Sequence, residues 1–176
     1  MNLDLSEFLS VSDKKGHFDV PIEMEKFKTK RTSNRITEKS SVSIDICNSG
    51  KKKVRMDAEF KVVIVFPCDR CVEDVPKEFD IKVSKEIDLN LSDEDRIEQL
   101  DEVPYISDTL LDVEKFVYNE LLVNLPMKVL CKNDCKGICN RCGVNLNLQS
   151  CDCDTKELDP RMSKILDVFN NFKEVW

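Results

Sequence analysis

Six of the nine cysteines fall between Cys131 and Cys153, in the run CKNDCKGICNRCGVNLNLQSCDC. Nothing else in the chain restricts its folding as much. Cys139-Asn140-Arg141-Cys142-Gly143 is a C-x-x-C-G knuckle. The glycine permits the tight turn that points two sulfurs at one metal ion. Cys151 and Cys153 follow after a short loop and can supply the other two ligands of a tetrahedral site. Cys131 and Cys135 have no obvious local partners, so their partners come from elsewhere in the chain.

The candidate is Pro67-Cys68-Asp69-Arg70-Cys71. A thioredoxin-type C-x-x-C opens a helix. Here the residues that follow are strand-like: Val72, Val75, Phe79, Ile81, Val83, Ile87 and Leu89. The motif therefore reads as a knuckle joining two antiparallel strands, and a knuckle supplies two ligands rather than four. Eight cysteines thus form four close pairs, enough for two zinc sites of four cysteines each. Cys139, Cys142, Cys151 and Cys153 make a local site. Cys68, Cys71, Cys131 and Cys135 make a second, tying together parts of the chain sixty residues apart. A competing arrangement takes one site from Cys135, Cys139 or Cys142 with the tail pair and leaves the other thiols reduced. Thiolates also hold iron–sulfur clusters, but all-cysteine tetrahedra built on knuckles favour Zn2+. Cys47 has no partner at ligand spacing and reads as a structural or free thiol.

Charge and histidine content narrow the function. The formal net charge is −7, with 27 Lys and Arg against 34 Asp and Glu. This argues against a broad basic face for nucleic acid and fits solubility or a basic partner. No apolar run is long enough to span a membrane. The N-terminal MNLDLSEFLSV has acids where a signal peptide needs a basic stretch, so the expected location is cytoplasmic and reducing. Nine cysteines in that setting argue for metal over disulfides. His17 is the single histidine and reads as a surface residue. With one histidine there is no Ser/His/Asp or Cys/His constellation, and no phosphate-binding glycine loop is present. The expectation is a protein that is not an enzyme.

Along the chain, Leu3, Leu5, Phe8 and Leu9 suggest a brief helix or strand docked on the core. Residues 13–17 read as loop. Phe18, Val20 and Ile22 alternate as in a half-buried strand. Residues 25–40 are polar and mostly basic (Lys26, Lys28, Lys30, Arg31, Arg35, Lys39). They read as a mobile loop or an edge that can meet phosphate or an acidic surface. Val42, Ile44 and Ile46, a turn at Asn48-Ser49-Gly50, and Val54 to Phe66 form a β-hairpin. Residues 86–102 are acidic, with the composition of a solvated loop or frayed helix and a possible use in docking a basic protein. Thr109 and Asp112 resemble a capping box for a helix carrying Leu110, Val113, Val117 and Leu121 and stopped by Pro126. Asp159-Pro160 opens a last helix with Met162, Ile165, Leu166 and Phe169 on its buried face.

The expected fold is α+β: an antiparallel β-sheet or partly open barrel packed by one or two helices, with a C-terminal cysteine-rich zinc-binding region. Residues 1–128 form the β-rich domain, with its helix near 110–125. Residues 129–176 form the cysteine-rich region and C-terminal helix, packed on the first.

Several motifs occur in a recognisable order. They are Ser43-Ile44-Asp45-Ile46-Cys47-Asn48-Ser49-Gly50, Cys68-Asp69-Arg70-Cys71, Cys135 to Asn147, Cys151-Asp152-Cys153 and Asp159-Pro160-Arg161. In this the chain resembles the YceD family of bacterial and plastid proteins, from roughly residue 15 onward. The family is associated with accumulation of 23S ribosomal RNA. The resemblance implies a cytoplasmic ribosome-biogenesis factor acting on 23S rRNA or early large-subunit assembly, with a ribosomal protein or the rRNA precursor as partner. Other readings are a zinc/thiol redox sensor, or an enzyme such as an RNA-processing nuclease or a thiol oxidoreductase.

Overall fold

Strict alternation of apolar and polar residues drives the central strands. The computed structural model describes residues 2–9, 14–30, 32–50, 53–88, 90, 103–107 and 109–153. β5 (Ser41–Gly50) buries Val42, Ile44, Ile46 and Asn48; β6 (Lys53–Pro67) buries every second residue from Val54 to Phe66. Successive side chains of a strand point to opposite faces, so this spacing puts one face of each strand into the core. β6 pairs along its whole length with β7 (Asp74–Asp88), from Lys53–Asp88 to Pro67–Asp74. Its other edge meets β5 in its first half and β4 (Ser33–Lys39) in its second. β2 (Lys15–Pro21) extends the sheet beyond β5, and β3 (Lys26–Lys28) extends it beyond β4. All these pairings are antiparallel, and the sheet does not close into a barrel.

A second, three-stranded sheet takes β1 (Asn2–Asp4), β9 (Leu110–Asp112) and β8 (Ile106–Ser107), with β9 central. Two helices complete the description: α1 (Ser6–Leu9) and α2 (Val113–Val123). α2 buries Val113, Phe116, Val117, Glu120 and Leu121, the three-and-four spacing of an amphipathic helix. Its N-cap is Asp112, whose side chain accepts from the Lys115 amide at 3.2 Å. The buried Glu120 is paired with Lys85 of β7, and the Lys85 ammonium stands 5.4 Å from the Tyr105 ring centroid. This neutralises a carboxylate that burial would otherwise disfavour.

The chain divides into two compact units. The first comprises the described residues of Met1–Pro67 and Asp74–Val129; the second comprises Cys68–Glu73 and the described residues from Leu130 on. The first holds the apolar core, with Phe27, Phe60 and Phe116 among its largest fully buried side chains.

Several expectations change. The stretch 25–40 is not a loop: it supplies β3 and β4, with Phe27 fully buried and Ile36 packed on the core. Its edge character survives, since β3 pairs only with β4 among the described residues. Lys15, Gly16 and His17 open β2 instead of sitting in a loop. Leu110 belongs to β9, so the helix starts at Val113 and Thr109 does not cap it. β5 continues through Asn48 and Ser49 to Gly50, with a register shift between Asn48 and Gly50. Asn48 is buried there, donating from Nδ2 to the Phe8 carbonyl at 2.6 Å and accepting the Gly50 amide at 2.7 Å. The N-terminal stretch forms both a strand and a helix, β1 and α1. Most of the acidic run and the helix expected from Asp159 lie outside the described residues.

Candidate metal centres

Each of the two C-x-x-C motifs folds as the same small device. In the first, the Val72 amide donates to the Cys68 carbonyl at 2.9 Å, and the Cys68 amide donates to the Glu73 carbonyl at 2.8 Å. In the second, Gly143 donates to Cys139 at 2.9 Å, and Cys139 donates to Val144 at 2.8 Å. The residue after the second cysteine takes a positive φ in both, 63° at Val72 and 73° at Gly143. Such a turn leaves backbone N–H groups pointing inward at the first sulfur. Valine is unusual here, because a β-branched side chain resists the left-handed region.

The sulfurs collect into two groups of four: Cys68, Cys71, Cys131 and Cys135, and Cys139, Cys142, Cys151 and Cys153. Within each group the Sγ atoms all lie within 4.8 Å of one another. Both groups lie wholly in the second unit. The sulfurs are grouped in the two sets expected from the spacing. Cys47 is in neither, its sulfur facing the Asn48 carbonyl at 3.9 Å.

The geometry suits a tetrahedral ion. A Zn–S bond of about 2.3 Å implies sulfur–sulfur edges of about 3.8 Å. Cys68 and Cys135 are 3.9 Å apart, and Cys71 and Cys131 are 3.5 Å apart. Both separations far exceed the ~2.05 Å of a disulfide, and all nine cysteines are free thiols.

Electrostatics within the groups point the same way. Burial works against the Cys68 thiolate, but the amides of Arg70, Cys131 and Cys71 donate to it and bring its pKa down to about 6. The amides of Cys142 and Arg141 bring Cys139 to about 6 as well, against burial. The neighbours move the other way. Cys71 is drawn down by the Glu73 amide, yet burial and the sulfurs of Cys68, Cys131 and Cys135 push it up to about 12. The Cys142 sulfur, with burial, pushes Cys153 up to about 12. Four sulfurs this close cannot all ionise without a cation among them, and a divalent ion inverts that balance.

Residues outside the eight fix the first group. The Arg70 guanidinium donates to the Cys135 carbonyl at 2.7 Å, and the Arg70 carbonyl accepts the Ile138 amide at 3.0 Å. Asn147 donates from Nδ2 to the Cys135 sulfur at 3.2 Å and accepts the Lys136 amide at 2.8 Å. Asn145 donates to Glu73 at 2.9 Å. Gly137 has φ 81°, and a Cβ there would lie 2.9 Å from the Arg70 carbonyl oxygen. Spacing identifies none of these supports, because each depends on which group the folded chain brings against the side chain. His17 is exposed, bonded to Asp45 at 2.8 Å and 3.3 Å from Asp19, and belongs to neither sulfur group.

The chain is similar to known proteins along most of its length. Residues 56–169 match the family model described as "Large ribosomal RNA subunit accumulation protein YceD". "Large ribosomal RNA subunit accumulation protein YCED homolog 1, chloroplastic" of Arabidopsis thaliana is 27% identical over 144 residues, covering 67% of this chain and 44% of the relative. The uncharacterised protein YlbN of Bacillus subtilis is 27% identical over 115 residues, 65% of each chain. An uncharacterised protein of Mycobacterium tuberculosis is 27% identical over 101 residues, 57% of this chain and 48% of the relative. The chain thus spans about half the length of the plant and mycobacterial relatives. No solved structure matches.

Proposed function

The chain belongs to the YceD family, and from that membership we propose that it is a non-enzymatic factor in ribosome biogenesis. It supports accumulation or processing of 23S rRNA and early assembly of the large subunit, in the cytoplasm. Among the described residues no helix is long and apolar enough to cross a membrane, which is compatible with that location. The observation that carries the non-enzymatic reading is the pair of four-sulfur groups. A set of four cysteines completes a tetrahedral shell and leaves no open position for substrate, the mark of a structural zinc site. Two Zn2+ ions, one per group, are the proposed cofactors. Each would hold a binding surface in shape, and none of the eight cysteines would turn over.

The proposed partner is a ribosomal protein or the 23S rRNA precursor, with the protein favoured. The net charge of −7 disfavours naked RNA, for which phosphate contacts supply most of the affinity. Eight thiolates around two Zn2+ make the chain more negative still.

Depletion of the chain in its host, with quantitation of 23S against 16S rRNA, tests the process. A selective fall in 23S rRNA, restored by wild-type but not by Cys68→Ser, is expected; an unchanged ratio contradicts the proposal. Capture of the tagged protein with and without RNase tests the partner. A ribosomal protein retained after RNase supports direct protein contact, and loss of every ribosomal protein points to RNA.

A further inference from the structure

The two sulfur groups differ in how they are protected. In the first, Cys68, Cys71 and Cys135 are 1%, 6% and 2% exposed, and Cys131 alone is exposed. Its four sulfurs come from two distant segments that Arg70 and Asn145 bind to each other, while Asn147 holds the Cys135 sulfur from within its own segment. In the second, only Cys139 is buried; Cys151 and Cys153 are half-buried and Cys142 is exposed. The Cys142 thiol is thus the one in its group most open to a small oxidant from solvent.

We propose that the second group is an oxidant-labile site and that Cys142 is its point of modification by hydrogen peroxide. This inference rests on the two-zinc reading. The Cys142 thiolate attacks one peroxide oxygen: an S–O bond forms, the O–O bond breaks, and hydroxide leaves. The thiolate of Cys151 or Cys153 then attacks the Cys142 sulfur. An S–S bond forms, the S–O bond breaks, and a second hydroxide leaves. Each sulfur gives up one electron, the peroxide takes up two, and two protons convert the hydroxides to water. The second group has then lost two of its four donors and releases its ion. The first group keeps its ion, because three of its sulfurs are buried and its two segments stay clamped. Oxidation thereby removes one metal without dismantling the other site, and thiol reduction with added Zn2+ reverses it.

The test uses the full zinc-loaded chain, with metal content measured first. Peroxide is titrated in, zinc release is followed with a chromogenic chelator, and cysteines are mapped by differential alkylation and mass spectrometry. The expected result is release in two phases. The first equivalent leaves as Cys142 and one of Cys151 or Cys153 become resistant to alkylation. The second leaves at least about tenfold more slowly, the scale on which supporting shells alter metal sites. Dithiothreitol with Zn2+ restores the first equivalent. Release of both ions together, or first oxidation at Cys131, overturns the inference and leaves the two-zinc reading intact. Fewer than two zinc per chain at the start overturns both.

Discussion

The sulfur atoms of Cys71 and Cys131 lie 3.5 Å apart although sixty residues separate them in the chain. Closing a loop of that length with a cross-link removes about 4 kcal/mol of freedom from the unfolded chain, on the estimate used for disulfides. A metal ion at this point therefore acts on folding, in addition to ordering its neighbours.

Gly137→Ala should be severe for an exchange of one hydrogen for a methyl group. The residue has φ 81°, and the new Cβ would meet the Arg70 backbone carbonyl at 2.9 Å. Strain of this kind costs about 1–3 kcal/mol. A fall in denaturation midpoint and a loss of zinc from the first group are expected. Unchanged stability would show that the Arg70 backbone yields.

Val72→Gly should act in the opposite direction. Val72 has φ 63° where the second knuckle has Gly143. Relief of left-handed strain is worth about 1–2 kcal/mol, offset by about 0.5–1 kcal/mol for the greater freedom of unfolded glycine. A gain of up to ~1.5 kcal/mol in chemical denaturation of the zinc-loaded chain is expected. A loss of stability would mean that the valine side chain makes a contact worth more than its strain.

Asn147→Ala removes the amide donor to the Cys135 sulfur and the acceptor of the Lys136 amide. Groups in this supporting position typically alter metal affinity by about 10–100-fold. Competition with a chromogenic chelator should show that loss at one of the two ions only. Equal weakening of both, or of neither, would contradict the local role.

His17 should titrate above its ordinary 6.5, because its hydrogen bond to Asp45 stabilises the imidazolium; burial opposes this, and Asp19 adds to it. A folded pKa above the unfolded one means the stabilising contribution is complete below about 6.5 and fades as pH rises through the raised folded value. As the only histidine, it gives a single pair of imidazole C–H signals in proton NMR. Asp45→Asn should move that titration back down; an unmoved curve would remove Asp45 as its cause.

The cysteine groups and the central hairpin were readable from the sequence because each has a local signature. Val42, Ile44 and Ile46 alternate, and each thiol pair is close in sequence. The strands at Lys26–Lys28 and Ser33–Lys39 have no such signature: Phe27 and Ile36 are the main apolar residues they offer. Those residues become strands because the second half of β6 has a free edge that Arg35 to Lys39 pair with. The helix start was displaced for a related reason. Leu110 fits a helical stripe in isolation, but Leu111 is drawn into the small sheet opposite Leu3, so the first residue that can cap is Asp112. The roles of Arg70, Asn145 and Asn147 depend on contacts with a backbone carbonyl, the Glu73 carboxylate and the Cys135 sulfur, which spacing does not encode.

The central claim is that two thiolate groups each hold one zinc ion, the first built from distant segments and the second from one. The most direct measurement is zinc per chain by plasma mass spectrometry on the purified protein, beside Cys68→Ser and the double variant Cys151→Ser, Cys153→Ser. The account predicts two zinc ions in the parent and one in the double variant, whose first site stays intact. Cys68→Ser should hold fewer than two and lose thermal stability. One zinc or none in the parent, or iron in its place, would contradict it.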